Sequence, residues 1–255
     1  MTILEHLAEL RLVLLKVVIA VVLLSVVAFL FGEKILVLLM QVSDPSFITN
    51  RWLCHLAGLL NSPELCINSL RLSFTNIELA GQFTLHVRLA IFGGAIVAAP
   101  YSIATIATFI SPALKENEKN LWLKFLFASL AFFVIGVVFG YFIIAPIAVH
   151  FLANYCLSGL IVNQITVQSF IRTVIQTVFA MGLSFELPLI VFYLTKWHVI
   201  EKDVLKRNRP IALIVLLTLA AIITPPDVFS MIIVAVPLWM LYEISIFATK
   251  WATNK

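Results

Sequence analysis

Six stretches of this chain run for about the depth of a bilayer with almost no charge in them, and no other feature limits the fold so severely. A helix needs roughly 20 apolar residues to cross some 30 Å of hydrocarbon. The stretches are Leu12 to Phe31, Gln82 to Ile110, Trp122 to His150, Gln168 to Leu194, Pro210 to Thr224 and Val228 to Phe247. Composition agrees: 62% of the 255 residues are hydrophobic and 12% are charged, where soluble domains carry about 25% charge. The mean hydropathy is +1.08. The predicted fold is all-α and polytopic, a single integral membrane domain over residues 1–255. This excludes a disordered tail or a secreted disulfide scaffold, and no charge run is long enough to grip nucleic acid.

Charge fixes the topology. Six passes put both termini on one side, and twelve of the seventeen cations border the termini and the second and fourth loops. The others, Lys34, Arg51, Arg71, Arg88 and Arg172, fall toward the opposite side. The positive-inside rule then places both ends in the cytoplasm and the largest loop, 32–81, outside. No small-residue cleavage site follows the first span, so it is predicted to remain as an anchor. The outer loop reads as a packed cap of short helices. Cys54 and Cys66 lie in it; they could form a bridge adding about 3 kcal/mol, or stay as two buried thiols.

Punctuation within the spans predicts their shapes. Gly93, Gly94 and Pro100 point to a tilted, kinked second helix, and Pro146 to an end of the third. Pro188 cannot donate to the Ser184 carbonyl, which predicts a bend beside Glu186 in the fourth. Thr224-Pro225-Pro226-Asp227 stops the fifth helix and starts the sixth, with Asp227 as N-cap. The fifth and sixth read as short. Fifteen residues from Pro210 to Thr224 rise about 22 Å against roughly 30 Å of hydrocarbon, which predicts local thinning or shelter behind longer helices.

Catalytic signatures are missing. The sequence has no HExxH, GxSxG, P-loop or CxxC, and its five histidines are scattered, so no enzyme, metal or cofactor is expected. The acids are more informative. Glu5 and Glu9 are i,i+4 neighbours that repel by a few tenths of a kcal/mol, although acids near a helix N-terminus also compensate its dipole. Glu116 and Glu118 precede the third span on the same face. Glu186 lies within the fourth span, where a charged acid costs on the order of 3 kcal/mol and marks function by default. Glu243 is predicted to pair with Lys250 or a cation of the fourth loop.

Together these residues resemble a known family. Glu5-His6-Leu7-Ala8-Glu9-Leu10-Arg11, the run from Ala99-Pro100 through Ser111-Pro112 to Glu118-Lys119, Ser184-Phe185-Glu186-Leu187-Pro188, Thr224-Pro225-Pro226-Asp227 and Leu241-Tyr242-Glu243-Ile244-Ser245 are similar, in order, to TatC, the polytopic subunit of the twin-arginine protein translocase. The resemblance implies a six-helix, cup-like protein of the cytoplasmic (inner) membrane. It would bind twin-arginine signal peptides of folded precursors and work with single-span TatA and TatB-type partners on the protonmotive force, without ATP or a cofactor. Copies of the chain would assemble within the larger complex.

The implied signal-peptide site is Glu9 with Glu118, beside Glu5 and Arg11; Glu186 is the implied intramembrane contact. Pro225, Pro226 and Asp227 form the implied functional turn. The chain departs from the family pattern at Val13, Thr105 and Ala107. A secondary transporter or channel using Glu186 as its ion or proton site is the rival reading, and a membrane scaffold is a third.

Overall fold

The computed structural model describes residues 3–59, 73–110, 119–155, 158, 163–196, 202–223 and 228–253. Among them, helices follow one another along the chain with one small sheet, so the all-α expectation holds. Four helical passes are long and apolar enough to cross a membrane: Ala8–Leu30, Gly81–Ile106, Leu126–Asn154 and Val167–Phe192; Arg209–Ile222 and Met231–Phe247 are shorter apolar helices. The six passes anticipated from hydropathy are these. By contacts the chain divides into two compact units, Met1–Val37 with Ala80–Phe132, and Leu38–Leu79 with Phe133–Lys255.

In the first unit, α1 (Ile3–Leu30) packs along α4 (Gly81–Ile110). Water does not drive helices together inside lipid, so close approach of small residues does. A Cβ on Gly94 would lie 2.3 Å from Ser25 Oγ and 2.4 Å from the Ser25 backbone nitrogen. Ser25 turns its hydroxyl back to the Val21 carbonyl at 2.7 Å, which spends its polarity within its own helix. At the end of α1, the His86 ring stacks on Phe29 at 3.8 Å. His86 Nε2 lies 2.7 Å from the Phe29 carbonyl. That carbonyl only accepts, so Nε2 carries the proton and caps one of the acceptors a helix C-terminus leaves open.

The second unit begins with α2 (Gly32–Met40), whose first residues belong to the first, a 3₁₀ turn (Gln41–Ser43) and α3 (Ile48–Leu59), the short helices expected of the outer cap. Cys54 of α3 is disulfide-bonded; Cys66 lies outside the described residues. A feature that hydropathy does not reveal follows. β1 (Phe74–Thr75) pairs in parallel with β2 (Ile165–Thr166), Phe74 opposite Ile165 and Thr75 opposite Thr166, and so joins the cap to the connection before the fourth pass.

The third pass corrects one expectation. Pro146 does not end it: α5 (Lys119–Phe139) continues through a π turn, Gly140–Ile144, into α6 (Ala145–Asn154). Proline removes the donor for the carbonyl four residues back, Phe142, and a wider turn accommodates the ring. The Thr49 hydroxyl of α3 donates to that same Phe142 carbonyl. Tyr141 donates its hydroxyl to the Leu38 carbonyl at 2.6 Å, and the Phe47 ring stacks on Phe142 at 5.6 Å. The cap is docked on the irregular turn.

The sixth pass corrects another. Its helix, α11 (Val228–Thr253), has 26 residues and runs past the expected end at Phe247, although its apolar part, Met231–Phe247, is short, as is that of the fifth, α10 (Arg209–Ile223) with 15 residues. Its core contacts join α10 and α11 to the third and fourth passes: Leu216 and Ala220 cluster with Val234, Ala235 and Leu238 against Ile144 and Met181.

Candidate functional site

The fourth pass is broken at the acid that hydropathy singled out. α7 (Val167–Ser184) ends, Phe185 and Glu186 form a turn, and α8 (Leu187–Lys196) restarts with Pro188 in its first turn. The ladder tightens here, the Glu186 N–H donating to the Leu183 carbonyl at 3.1 Å, three residues back rather than four. The Glu186 carbonyl then accepts from Leu189 and Ile190 at 3.1 and 2.9 Å, opening the new helix. Pro188 fits because a first-turn residue needs no helical donor. The expected bend is therefore a full interruption.

Glycines hold the break in place. A Cβ on Gly136 would come within 2.6 Å of the Met181 carbonyl and 2.8 Å of Phe185 Cβ, and one on Gly140 within 3.0 Å of Val178 Cα. The third pass therefore lies backbone to backbone against the end of α7. Glu186 itself is 7% exposed, packed where the helix turns.

The N-terminal motif is helical, since α1 begins at Ile3. Glu9 is half-buried and Arg11 exposed. Two positions apart on a helix they lie about 200° around the axis, so Arg11 cannot neutralise Glu9. Among the described residues no cation lies within ion-pairing distance of Glu9. The Glu5 side chain and all of Glu118, Pro225, Pro226 and Asp227 lie outside the described residues.

At the other end of α10, Arg209 Nη2 meets Glu243 Oε2 at 2.7 Å, a fourth-loop cation as the sequence suggested. Beside it, Tyr242 donates to the Leu205 carbonyl of α9 (Lys202–Arg207) at 2.8 Å. This clasp ties α9 and α10 to α11. Away from all these acids, a cavity of about 580 Å³ opens between α6 and α7, lined by Val149, Tyr155, Asn163, Thr166, Ser169, Phe170 and Thr173 among others. Among the described residues its lining has no charged side chain and none of the sequence-predicted site residues.

Sequence reasoning missed Thr49, Tyr141 and Gly136. A signal existed for the last, because Gly136 and Gly140 form the G-x-x-x-G spacing that brings membrane helices together.

Known proteins bear closely on this arrangement. The family profile described as Sec-independent protein translocase protein (TatC) matches residues 5–237. The Sec-independent protein translocase protein TatC of a Blattabacterium strain from Periplaneta americana is 32% identical over 98% of this chain and 96% of its own length. TatCy of Bacillus subtilis is 30% identical over 100% and 91%. A crystal structure of the twin-arginine translocase receptor TatC superimposes with a TM-score of 0.79 at 29% identity, covering 97% of this chain and 99% of that one.

Proposed function

This chain belongs to the TatC family of Sec-independent protein translocase proteins, and from that membership we propose that it is the receptor subunit of a twin-arginine translocase. What supports the reading is the end-to-end match itself, residues 5–237, which takes in both the N-terminal acids and the broken fourth pass. The chain is a polytopic integral membrane protein. In the proposal it is one membrane domain in the cytoplasmic membrane with both termini cytoplasmic.

Recognition follows from charge. Glu9 and Glu118 receive the paired arginines of a signal peptide, with Glu5 and Arg11 shaping the patch. A guanidinium is planar, always charged and forks onto a carboxylate, which a lysine cannot do. Exposed pairs contribute only about 1 kcal/mol or less each, so binding is modest, salt-sensitive and aided by the signal's apolar stretch. Glu186 meets the helix of a TatA or TatB-type subunit, or the inserted signal. The Pro225-Pro226-Asp227 turn sets the hairpin of the last two passes. Copies of the chain assemble with these partners, and the protonmotive force drives export of the folded cargo.

Photocrosslinking of a twin-arginine precursor to the receptor in membranes tests this. Glu9→Gln combined with Glu118→Gln should weaken crosslinking while the protein stays inserted; undiminished crosslinking would falsify the site. Solute flux in vesicles containing this chain alone would instead favour the transporter reading with Glu186 as its ion site.

A further inference from the structure

We propose that the outward face of α3 lies in the interfacial layer of the bilayer, against lipid headgroups and upper acyl chains, on the side where the third pass ends. α3 has two faces. Asn50 and Ala57 are buried at 4% and 4%, while Ile48, Trp52 and Leu59 are 60%, 69% and 70% exposed. At about 100° per residue these three and His55 fall within an arc of roughly 60°, with Arg51 at its edge. His55 and Arg51 are exposed as well. A cap facing only water would show polar side chains there. This one shows a tryptophan, two aliphatic chains and a cation, the composition of helices that lie in a membrane surface.

The depth of α3 selects lipid as the occupant. Thr49 is hydrogen-bonded to the Phe142 carbonyl, within the pass that runs from Leu126 to Asn154. From Trp122, where the apolar stretch of this pass begins, to Phe142 the helix rises about 30 Å at roughly 1.5 Å per residue, against about 30 Å of hydrocarbon. α3 therefore touches the third pass at about the far edge of the hydrocarbon, where no layer of bulk water separates its outer face from the bilayer. Tryptophan favours that level, and an arginine at the rim extends its guanidinium to the phosphates.

Trp52 reports its own surroundings. The chain has five tryptophans, so the full-length protein carrying Trp122→Phe, Trp197→Phe, Trp239→Phe and Trp251→Phe leaves Trp52 as the single emitter. It is reconstituted into phosphatidylethanolamine and phosphatidylglycerol vesicles, with and without lipid brominated near the top of the acyl chain. The expected result is about a two-fold loss of emission with brominated lipid and several-fold weaker quenching by aqueous iodide than for a free tryptophan analogue, as for a residue of the interfacial aromatic belt. Free quenching by iodide with none by bromine would place α3 in water. Quenching by neither would mean that protein, a second copy or another subunit, covers it. Either outcome overturns the proposal. If the four-fold variant does not stay monodisperse, the difference between the unmodified chain and Trp52→Phe gives the same reading.

Discussion

Thr49 donates its hydroxyl to the Phe142 carbonyl, the acceptor that Pro146 leaves without its helical donor. One side chain from α3 thereby completes the backbone of a membrane pass. In lipid no water substitutes for a missing donor, and an unsatisfied carbonyl is costly. The hydroxyl of α3 and the π turn together accommodate the proline.

Thr49→Val keeps the shape and removes the donor. It should destabilise the protein by about 1–3 kcal/mol, the usual cost of stranding a buried acceptor. Thr49→Ser should recover most of that. Thermal unfolding in detergent, followed by loss of monodispersity, reads both; equal midpoints for Val and Ser would mean that the hydrogen bond adds nothing.

The crossing of α1 and α4 makes a sharper prediction. On Gly94 even a methyl group would overlap the Ser25 backbone, whereas nothing lies within 4 Å of a Cβ placed on Gly58. Gly94→Ala should force the helices apart and cost about 1–3 kcal/mol. Gly58→Ala, inside α3, should be neutral or add up to about 1 kcal/mol from helix propensity. Comparable unfolding midpoints for the two variants would contradict the packing described here.

Much of this architecture was legible because membrane insertion leaves a coarse signature: length, hydropathy and the bias of cations. Glu186 stood out as a charge in an apolar run, and Pro188 located the break beside it. Contacts without a periodic pattern were not legible. The pairing of Phe74–Thr75 with Ile165–Thr166 joins two-residue strands far apart in sequence, too short to alternate. The π turn at Gly140–Ile144 takes a hydrogen bond from Thr49 as well as a proline in the next turn, and only the proline announces itself. The sixth helix ran past its expected end at Phe247 to Thr253, because hydropathy marks where the apolar stretch stops, and a helix can continue beyond it into water.

The Arg209–Glu243 pair is a test of how little an exposed ion pair contributes. Its side chains are 47% and 35% exposed, so a double-mutant cycle with Arg209→Gln and Glu243→Gln should give a coupling of about 0.2–1 kcal/mol, shrinking at high salt. A coupling well above that range would point to a more desolvated clasp, held by Tyr242 and Leu205.

For Glu186 the two conservative losses should separate. Glu186→Gln keeps a donor and an acceptor, and Glu186→Ala keeps neither. An interhelical hydrogen bond in lipid contributes around 0.6–2 kcal/mol, so the Ala variant should lower export several-fold at unchanged receptor abundance, and the Gln variant less. If both export normally, the carboxyl has no part in docking.

The last prediction concerns α10. Its 15 residues rise about 22 Å, some 8 Å short of ordinary hydrocarbon. Tilt would make the mismatch worse, which leaves thinning of the bilayer, snorkelling by Arg207 and Arg209, or shelter by other helices. Exposure argues against shelter: Ile211, Ile214, Val215 and Ile222 are 62%, 65%, 51% and 74% exposed, and so face lipid or a partner's helix. A thinned patch beside α10 would lower the barrier to a folded cargo. Inserting four leucines between Leu217 and Thr218 lengthens the helix by about 6 Å, close to one full turn, which keeps the flanking faces near register. Export should fall while signal-peptide crosslinking is retained. If export persists at its full level, the shortness of α10 has no role in transport.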